Sequence, residues 1–564
     1  MMISTSKRQM GMVLLVLAPL VTFVMSPSLS YEGINIPKLS TLVLGAAIIL
    51  ALLLADFTIF LDSRYRLSII FAAIFKIDLL FVLFTSSSPF NEQFFGVNGR
   101  NTGYLTYVSL LVVFFAAVVS FDKKKSEMLV WSLLTIGSLS LIYGLMQSAN
   151  LDPFKWNNPY SPVLGFLGNP DFQSSFLGIC AVAAFALLFQ AKANVRVRAG
   201  LGVYLLLSAY IIAKTKAQQG FLVFLAGVVI VLFFLLHKNQ KTEKVSFLYL
   251  PLALVSGVLV VLGSLNKGPL AHYLYKVSVT YRGDYWRAGW KMTTQHPLTG
   301  VGLDSYGNWY RATRTLAATV RRGPDIVSNA AHNVFLDISS SGGFPLLIAY
   351  LLIVGYALIS GMKVIKRTEG FNAPHIALFG AWCAYQIQSF ISLNQIGLAI
   401  WGWILSGALV AYEISTRPEQ AHEATPAAVQ KNKGRNVKVK VNSSPTSYLA
   451  IITGIIVGLA IGLPPFIADA ALRSALQKGD PTALVAAVKK WPIDEIRLVQ
   501  AAQILASSKL NAQSLELDIF AAKRDPRLYY AWEGISTNST ATAAQKSDAL
   551  SHMKLLDPNN PKLK

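Results

Sequence analysis

With 564 residues, 53% of them hydrophobic and only 14% charged, the chain is too long and too apolar for one soluble domain. Apolar runs of about 18 or more residues recur along it, the length that crosses a bilayer core as a helix, which marks a polytopic membrane protein. The formal charge of +22 sits mostly in short loops between these runs, where basic residues set orientation, and this sets aside a nucleic-acid-binding reading.

The apolar segments fall at approximately 10–28, 39–61, 66–85, 104–121, 127–147, 173–190, 199–213, 219–236, 246–264, 345–361, 373–392, 395–414 and 447–467. They predict an all-α fold with 12–13 transmembrane helices. Lys7-Arg8 precedes the first run and no clear small-x-small cleavage site follows it, so this run reads as a span rather than a signal peptide. Cys180 and Cys383 lie inside apolar spans without C-x-x-C spacing and read as small core residues. Asp56, Lys76 and Asp78 are charges expected within the membrane, with Lys76 pairing to a carboxylate between the second and third spans.

Basic loops stay cytoplasmic. Lys7-Arg8, Arg64/Arg66, 123–125, Lys192/Arg196/Arg198, Lys238/Lys241/Lys244, Lys363/Lys366/Arg367 and the stretch 431–440 all fall on one side. Segments 29–38, 86–103, 148–172, 214–218 and 265–344 then face outward, and so does the tail 468–564. Residues 415–446, rich in Pro, Ala, Lys and Asn, form a disordered basic cytoplasmic linker in this reading. Beyond 468 apolar residues recur at three- and four-residue spacing over 470–476, 483–488, 496–506 and 512–522, as in a soluble helical module. Asp525-Pro526 and Asp557-Pro558 lie 32 residues apart and each closes a helical stretch, which resembles a degenerate tetratricopeptide hairpin; a generic helical bundle fits the same spacing.

The long polar segment 265–344 holds the residues that carry chemistry. His332 stands just before a span, where a neutral imidazole takes a proton from an incoming hydroxyl, or else the residue simply caps the helix beginning near Val334. Asn333 orients it or binds sugar. If 281–294 is helical, Arg282, Trp286 and Trp290 share a face at the membrane interface, and the guanidinium stands at lipid-phosphate height. Arg287 and Lys291 either join it or bind bulk headgroups. Lys214, Lys216, Gln218 and Gln219 fill a short outward loop, where cations run against the orientation rule; an anionic ligand or snorkelling explains them. Arg311, Arg314, Arg321 and Arg322 add positive charge that draws in an anionic substrate. Gly300 and Gly302 mark a tight turn, Gly342-Gly343-Phe344-Pro345 breaks the backbone, Asn169-Pro170-Asp171 caps the sixth span, and Gln386, Gln388, Asn394 and Gln395 serve as helix–helix glue. The outward loops carry no Asp-x-Asp pair for a divalent cation, so no metal or cofactor is expected.

The order Arg282-x-x-x-Trp286, His296-Pro297-Leu298-Thr299-Gly300-Val301-Gly302 and His332-Asn333-x-x-Leu336, with Gly343 and a following span, resembles the O-antigen ligase and polymerase superfamily over roughly 160–412. That group includes lipopolysaccharide O-antigen ligases, polysaccharide polymerases and protein O-oligosaccharyltransferases. The resemblance implies a GT-C-type membrane glycosyltransferase of the bacterial cytoplasmic membrane. Such an enzyme moves a glycan from an undecaprenyl diphosphate carrier to an acceptor hydroxyl on a lipid, glycan or protein. His332 matches the family histidine, as base or acceptor-orienting group, and Arg282 the family arginine, as diphosphate ligand. Where the family carries a Ser-Arg-Gly-like segment, this chain reads Lys214-Thr215-Lys216-Ala217-Gln218-Gln219-Gly220; the arginine is absent and Lys214 or Lys216 stands in. On this reading 1–150 holds N-terminal spans, 151–414 the catalytic membrane core with its loop 265–344, 415–446 the linker, 447–467 the last span and 468–564 the extracytoplasmic module. The mechanism expected is metal-independent displacement with inversion. Polymerase and protein oligosaccharyltransferase are the alternatives within the class. A lipid-linked oligosaccharide transporter would call for internal repeats and ionisable groups at the midplane, and a non-catalytic envelope scaffold would tolerate substitution in the loop.

Overall fold

A computed structural model describes residues 5–156, 161–191, 193–418 and 445–563. Among them every element is helical and none is a strand. The first half of the chain forms α1 (Thr5–Phe23), α2 (Asn35–Ala55), α3 (Arg66–Thr85), α4 (Phe90–Phe95), α5 (Tyr104–Ser120), α6 (Lys123–Ser148), α7 (Pro170–Leu188), α8 (Val195–Lys214), α9 (Gln219–His237) and α10 (Glu243–Ser264). The large loop folds into α11 (Val277–Gln295), α12 (Tyr306–Thr313) and α13 (Leu316–Arg322). Then follow α14 (Val334–Arg367), α15 (Ala373–Ile391), α16 (Ile396–Ser415) and α17 (Pro445–Lys478). The tail adds α18 (Pro481–Val488), α19 (Glu495–Ser507), α20 (Asn511–Arg524), α21 (Tyr529–Thr537) and α22 (Ala543–Leu556).

Ten of these helices are long and apolar enough to cross a membrane: α2, α3, α6 to α10, α14, α16 and α17. The chain is therefore a multi-pass membrane protein. Three of the expected spans fall short of that standard. α5 has 17 residues, α1 opens with Lys7 and Arg8, and α15 carries His375, Gln386 and Gln388. All three pack into the same apolar core as the ten, α10 excepted. α16 lies at its centre, buried along its whole length. An indole N–H in such a core must find a partner, and Trp401 donates to Thr22 Oγ1 at 2.8 Å while Trp382 donates to Ser406 Oγ at 2.8 Å. Asn394 and Gln395 tie helices together as expected, donating to Tyr107 Oη at 3.2 Å and Asn35 Oδ1 at 2.9 Å. Asn169 caps α7, accepting from the Asp171 N–H at 2.8 Å. By contrast α10 turns Phe247, Leu250, Leu254 and Val258 outward, an apolar surface suited to lipid.

The charges within the bundle depart from expectation. Asp56 lies beyond the end of α2, where its carboxylate accepts from Thr58 Oγ1 at 2.6 Å. Lys76 is exposed on α3, and among the described residues no ion pair includes it. The buried cation is Lys38 instead. Its ammonium donates to the carbonyls of Val21, Thr22 and Val24 at 3.2, 2.7 and 2.7 Å, satisfying the end of α1 that lacks helical partners.

Residues 419–444, most of the expected linker, lie outside the described residues. After them α17 packs along α2 through Gly454, Gly458 and Gly462. A Cβ at Gly454 would sit 2.5 Å from Ile48 Cα and one at Gly458 2.8 Å from Leu44 Cα, so the two backbones touch as small-residue stripes allow. The helix does not stop near 467 as its composition suggests. It runs on past Pro464-Pro465, because the alanine-rich stretch beyond favours helix and docks. Asp469 accepts from the Glu32 N–H at 2.9 Å and pairs with Arg497 at 2.9 Å. Arg473 donates to the carbonyls of Ser28 and Ser30 at 2.9 and 3.3 Å. The tail then folds as paired helices, α19 with α20 and α21 with α22, around Leu498, Leu517, Ala531 and Ala549. It sits at the end of the bundle that carries α11 to α13.

Candidate active site

The site begins where backbone geometry forces it. Asn333 caps α14: its Oδ1 accepts from the Leu336 N–H at 3.1 Å and its Nδ2 donates to the Phe390 carbonyl at 2.9 Å. One residue earlier His332 adopts φ +55°, a left-handed conformation that a non-glycine residue holds only when its neighbours fix it. They do. Asp337 Oδ1, one turn into α14, accepts from the Ala331 N–H at 2.7 Å, and Ala330 and Ala331 are wholly buried. The cap is thus Asn333 and the imidazole is left free to point away.

A second device pins the loop to α14. Gly343, at φ +72°, kinks that helix, and the 297–302 turn docks into the kink. The Phe344 N–H donates to the Pro297 carbonyl at 2.8 Å, and the Val301 and Gly302 N–H groups donate to the Ser340 and Ser341 carbonyls at 2.8 and 3.0 Å. Neither glycine accepts a side chain: a Cβ at Gly300 would lie 2.4 Å from the Ser341 carbonyl carbon, and one at Gly343 2.5 Å from the Pro297 oxygen.

α11 lies against the start of α14, with Thr293 Oγ1 and Ser339 Oγ 3.0 Å apart. It presents Tyr285 to His332, the two rings stacked with centroids 5.2 Å apart. Arg282 stands one turn earlier on α11 and acts on the imidazole through its charge, as do Arg100 and Arg322. Burial first, then these three cations, pushes the His332 pKa down to about 3, so the ring is neutral near pH 7. Among the described residues neither imidazole nitrogen has a hydrogen-bond partner, and Arg282 has no carboxylate partner. A neutral acceptor and an unmatched guanidinium therefore share one half-buried surface.

The remaining cations are mostly spoken for. Arg100, from the loop after α4, pairs with buried Asp304 at 3.1 Å and donates to the Asn329 carbonyl. Arg287 is exposed and pairs with Asp284 at 2.5 Å. Arg321 pairs with the other Asp284 oxygen, while Arg322 donates to the Tyr285 hydroxyl and lies over the Tyr281 ring. Arg311 and Arg314, expected to attract substrate, are instead buried against the C-terminal hairpins. Asp557 takes both, at 3.0 and 2.6 Å, and the Pro324 carbonyl accepts from each. Asp525, which closes the preceding hairpin, accepts from Asn308 Nδ2 at 2.7 Å, and the same amide donates to Glu92 at 3.0 Å. Both Asp-Pro corners thus grip α12, and α12 leads directly into α13 with its Arg321 and Arg322.

Lys214 and Lys216 occupy the turn between α8 and α9, Lys216 at φ +60°. Lys214 lies over the Tyr210 ring, and Lys216 lines a cleft with Trp156, Asn169 and Asp171. Gln219 is buried at the start of α9 with both side-chain atoms unpartnered among the described residues. No hydrogen bond, ion pair or ring contact joins this turn to His332 or Arg282. Arg100 and Tyr285 are the site residues that sequence reading passed over, and Arg322, read there only as part of the attracting charge, stands beside His332. Arg100 carried a signal: a cation beside Gly99 on the side disfavoured for basic residues.

The family model described as O-antigen ligase matches residues 203–351, from α8 to the kinked half of α14. No curated protein matches the chain. Every candidate site residue named from sequence lies inside the matched stretch, and over that stretch the chain is similar to the O-antigen ligase family.

Proposed function

We propose that the protein transfers a glycan from an undecaprenyl diphosphate carrier to an acceptor hydroxyl by direct displacement. The observation that carries this is the pairing of an unpartnered neutral His332 with an unmatched Arg282 on one surface. The acceptor oxygen attacks the anomeric carbon as the bond from that carbon to the diphosphate oxygen breaks. The electron pair leaves on the diphosphate, configuration inverts, and His332 receives the acceptor proton. Arg282 binds the departing diphosphate through paired hydrogen bonds, the geometry guanidinium offers to phosphate oxygens. Cationic side chains supply the charge neutralisation, and the reaction runs without a metal.

The cations that depress the imidazole give this scheme an order of events. A base with a pKa near 3 is poorly matched to neutral pH. A bound diphosphate offsets the fields of Arg282 and Arg322 and raises the imidazole towards its working range. His332 becomes a stronger base once the donor is in place. Lys214, Lys216 and Gln219 take the sugar or carrier further along the loop face, and the amide of Asn333 holds the helix that presents His332. The distribution of basic loops supports a large loop and C-terminal hairpins facing away from the cytoplasm of a bacterium, and the paired tail helices support a tetratricopeptide-like module.

The test is reconstitution of the protein in lipid with a lipid-diphosphate-linked glycan, with donor alone and then with added acceptors, each with and without chelator. Longer lipid-linked chains from donor alone identify a polymerase. Transfer only on addition of a separate lipid or protein identifies a ligase or oligosaccharyltransferase. A donor from the native host that is never consumed overturns the proposal, and so does full transfer by a correctly inserted His332→Ala protein.

A further inference from the structure

Between the C-terminal hairpins and the large loop lies a cavity of about 110 Å³ that the displacement chemistry does not use. Asn308, Arg311 and Asn329 wall it from the loop; Arg527, Tyr529 and Tyr530 wall it from the corner after α20. Arg311 is matched by Asp557; Arg527 forms no close ion pair among the described residues, and the carboxylate of Asp525 acts on it through its charge. Its guanidinium lies 3.4 Å over the Trp309 ring. Arg527 Nε and Trp309 Nε1 are both buried N–H donors without an acceptor. Leaving such donors unmet is costly, and each group in a folded protein that lacks a partner calls for one.

The lining has a definite chemical character. The Arg311 guanidinium lies over the Tyr529 and Tyr530 rings, 4.0 and 5.1 Å from their centroids, and the amide, guanidinium and phenol groups of this lining are suited to exchange hydrogen bonds with vicinal hydroxyls. The space is several times the roughly 10–15 Å³ of such volume that one water needs, room enough for a single sugar ring. Position fits as well. Asn329 forms part of the wall and His332 follows three residues later, a span of at most about 10 Å of chain.

We propose that this cavity is a saccharide subsite for the acceptor, holding a sugar one or two units from the hydroxyl that reacts. The proposal rests on the glycosyl-transfer reading above for its role, but not for its existence. The hairpins then measure the acceptor: an acceptor with a sugar in the subsite is placed for His332, and one without it is placed only by its reacting end.

The experiment uses the full chain in lipid discs with two variants, Arg527→Gln and Tyr530→Ala, each checked for an unchanged melting profile. The binding probe is oligosaccharide released by mild acid from the host's lipid-linked glycan, read by saturation-transfer NMR. The parent and His332→Ala are expected to bind it, and both subsite variants to bind at least about tenfold more weakly. In the transfer assay the KM for an oligosaccharide acceptor should rise about tenfold in both variants, with donor KM and kcat unchanged. With an acceptor trimmed to its single reacting sugar, parent and variants should converge, which a merely structural role would not produce. If both folded variants bind and turn over as the parent does, the cavity holds water only and the subsite is refuted while transfer stands. If the parent transfers nothing yet binds oligosaccharide in a manner lost in Arg527→Gln, the subsite stands and the transfer reading falls.

Discussion

Replacing Asp557 with alanine should free the large loop from the C-terminal hairpins, because two buried guanidinium groups lose their carboxylate together. The side chains of Arg311, Arg314 and Asp557 are 6%, 1% and 0% exposed, and the contacts are 3.0 and 2.6 Å. Removing one partner from a buried ion pair costs about 3–5 kcal/mol, since an uncompensated charge stays behind. Here the Pro324 and Ile326 carbonyls and the Tyr529 ring remain to receive the arginines. That places the expected loss at the lower end, about 3 kcal/mol. Hydrogen–deuterium exchange over 306–329 in lipid discs reads it as roughly hundredfold faster opening of the segment. Asp557→Asn, which keeps an acceptor without the charge, should cost about 1–2 kcal/mol. A triple change of Asp557→Leu, Arg311→Met and Arg314→Met should restore most of the protection, because apolar replacement of a buried ionic triad is often close to neutral. Exchange in Asp557→Ala within about threefold of the parent would refute the idea that these pairs hold the loop.

Other outcomes follow from the same contacts. His332→Ala should lower transfer by about 10²–10⁴-fold with unchanged helical content by circular dichroism. His332 is held below the ordinary histidine value by burial and by Arg282, Arg100 and Arg322. The unfolded chain therefore binds the extra proton between pH about 3 and about 6.5, so this group's stability is complete above about 6.5 and is lost as pH falls through that window. For the same reason kcat/KM for donor should show no acid limb at about 6.5, while the limb in kcat moves upward once diphosphate is bound; a limb at 6.5 in kcat/KM would count against it. Gly343→Ala should cost at least about 2 kcal/mol, combining a left-handed φ with a Cβ against the Pro297 oxygen, read as a lower melting temperature. Burial and the nearby Asp525 raise the pKa of Glu92, and burial raises that of Asp525 to about 6. Folded-state carboxyls with raised values stabilise fully below about pH 4 and lose that contribution as pH rises through about 6. Protection of α12 should then weaken from pH 5 to pH 8, and Glu92→Gln should flatten that dependence; a parent with no such dependence would sink the account.

Much of the architecture was legible in the chain because bilayer physics writes it in plain composition. Apolar runs announced the spans, and Asn169 and Gly343 announced a cap and a break. His332 and Arg282 were found by motif order, and the structure sets both beside Tyr285. What composition could not convey was pairing across distance. Arg311 and Arg314 look like free cations until Asp557, 243 residues beyond Arg314, closes on them. Lys38 reads as a loop residue until three carbonyls of α1 surround it. Lys76 looks like half of an ion pair and is merely exposed. The glycines of α17 carry no such mark in the sequence, because close backbone approach is a property of two helices and only one is visible at a time.

The unbroken course of α17 makes the tail a lever rather than a tethered appendage. Its 34 residues form a shaft about 51 Å long, rooted along α2 at one end and bolted to Arg497 and the hairpins at the other. Phase and height are therefore locked together. One inserted residue in this shaft turns the hairpins by about 100° and swings both Asp-Pro corners off α12, whereas seven residues nearly recover the phase but raise the corners by about 10 Å. Bilayer thickness enters the same equation. A membrane that shifts α17 along α2 pulls on α12, and through Arg321 and Arg322 it reaches the ring that faces His332.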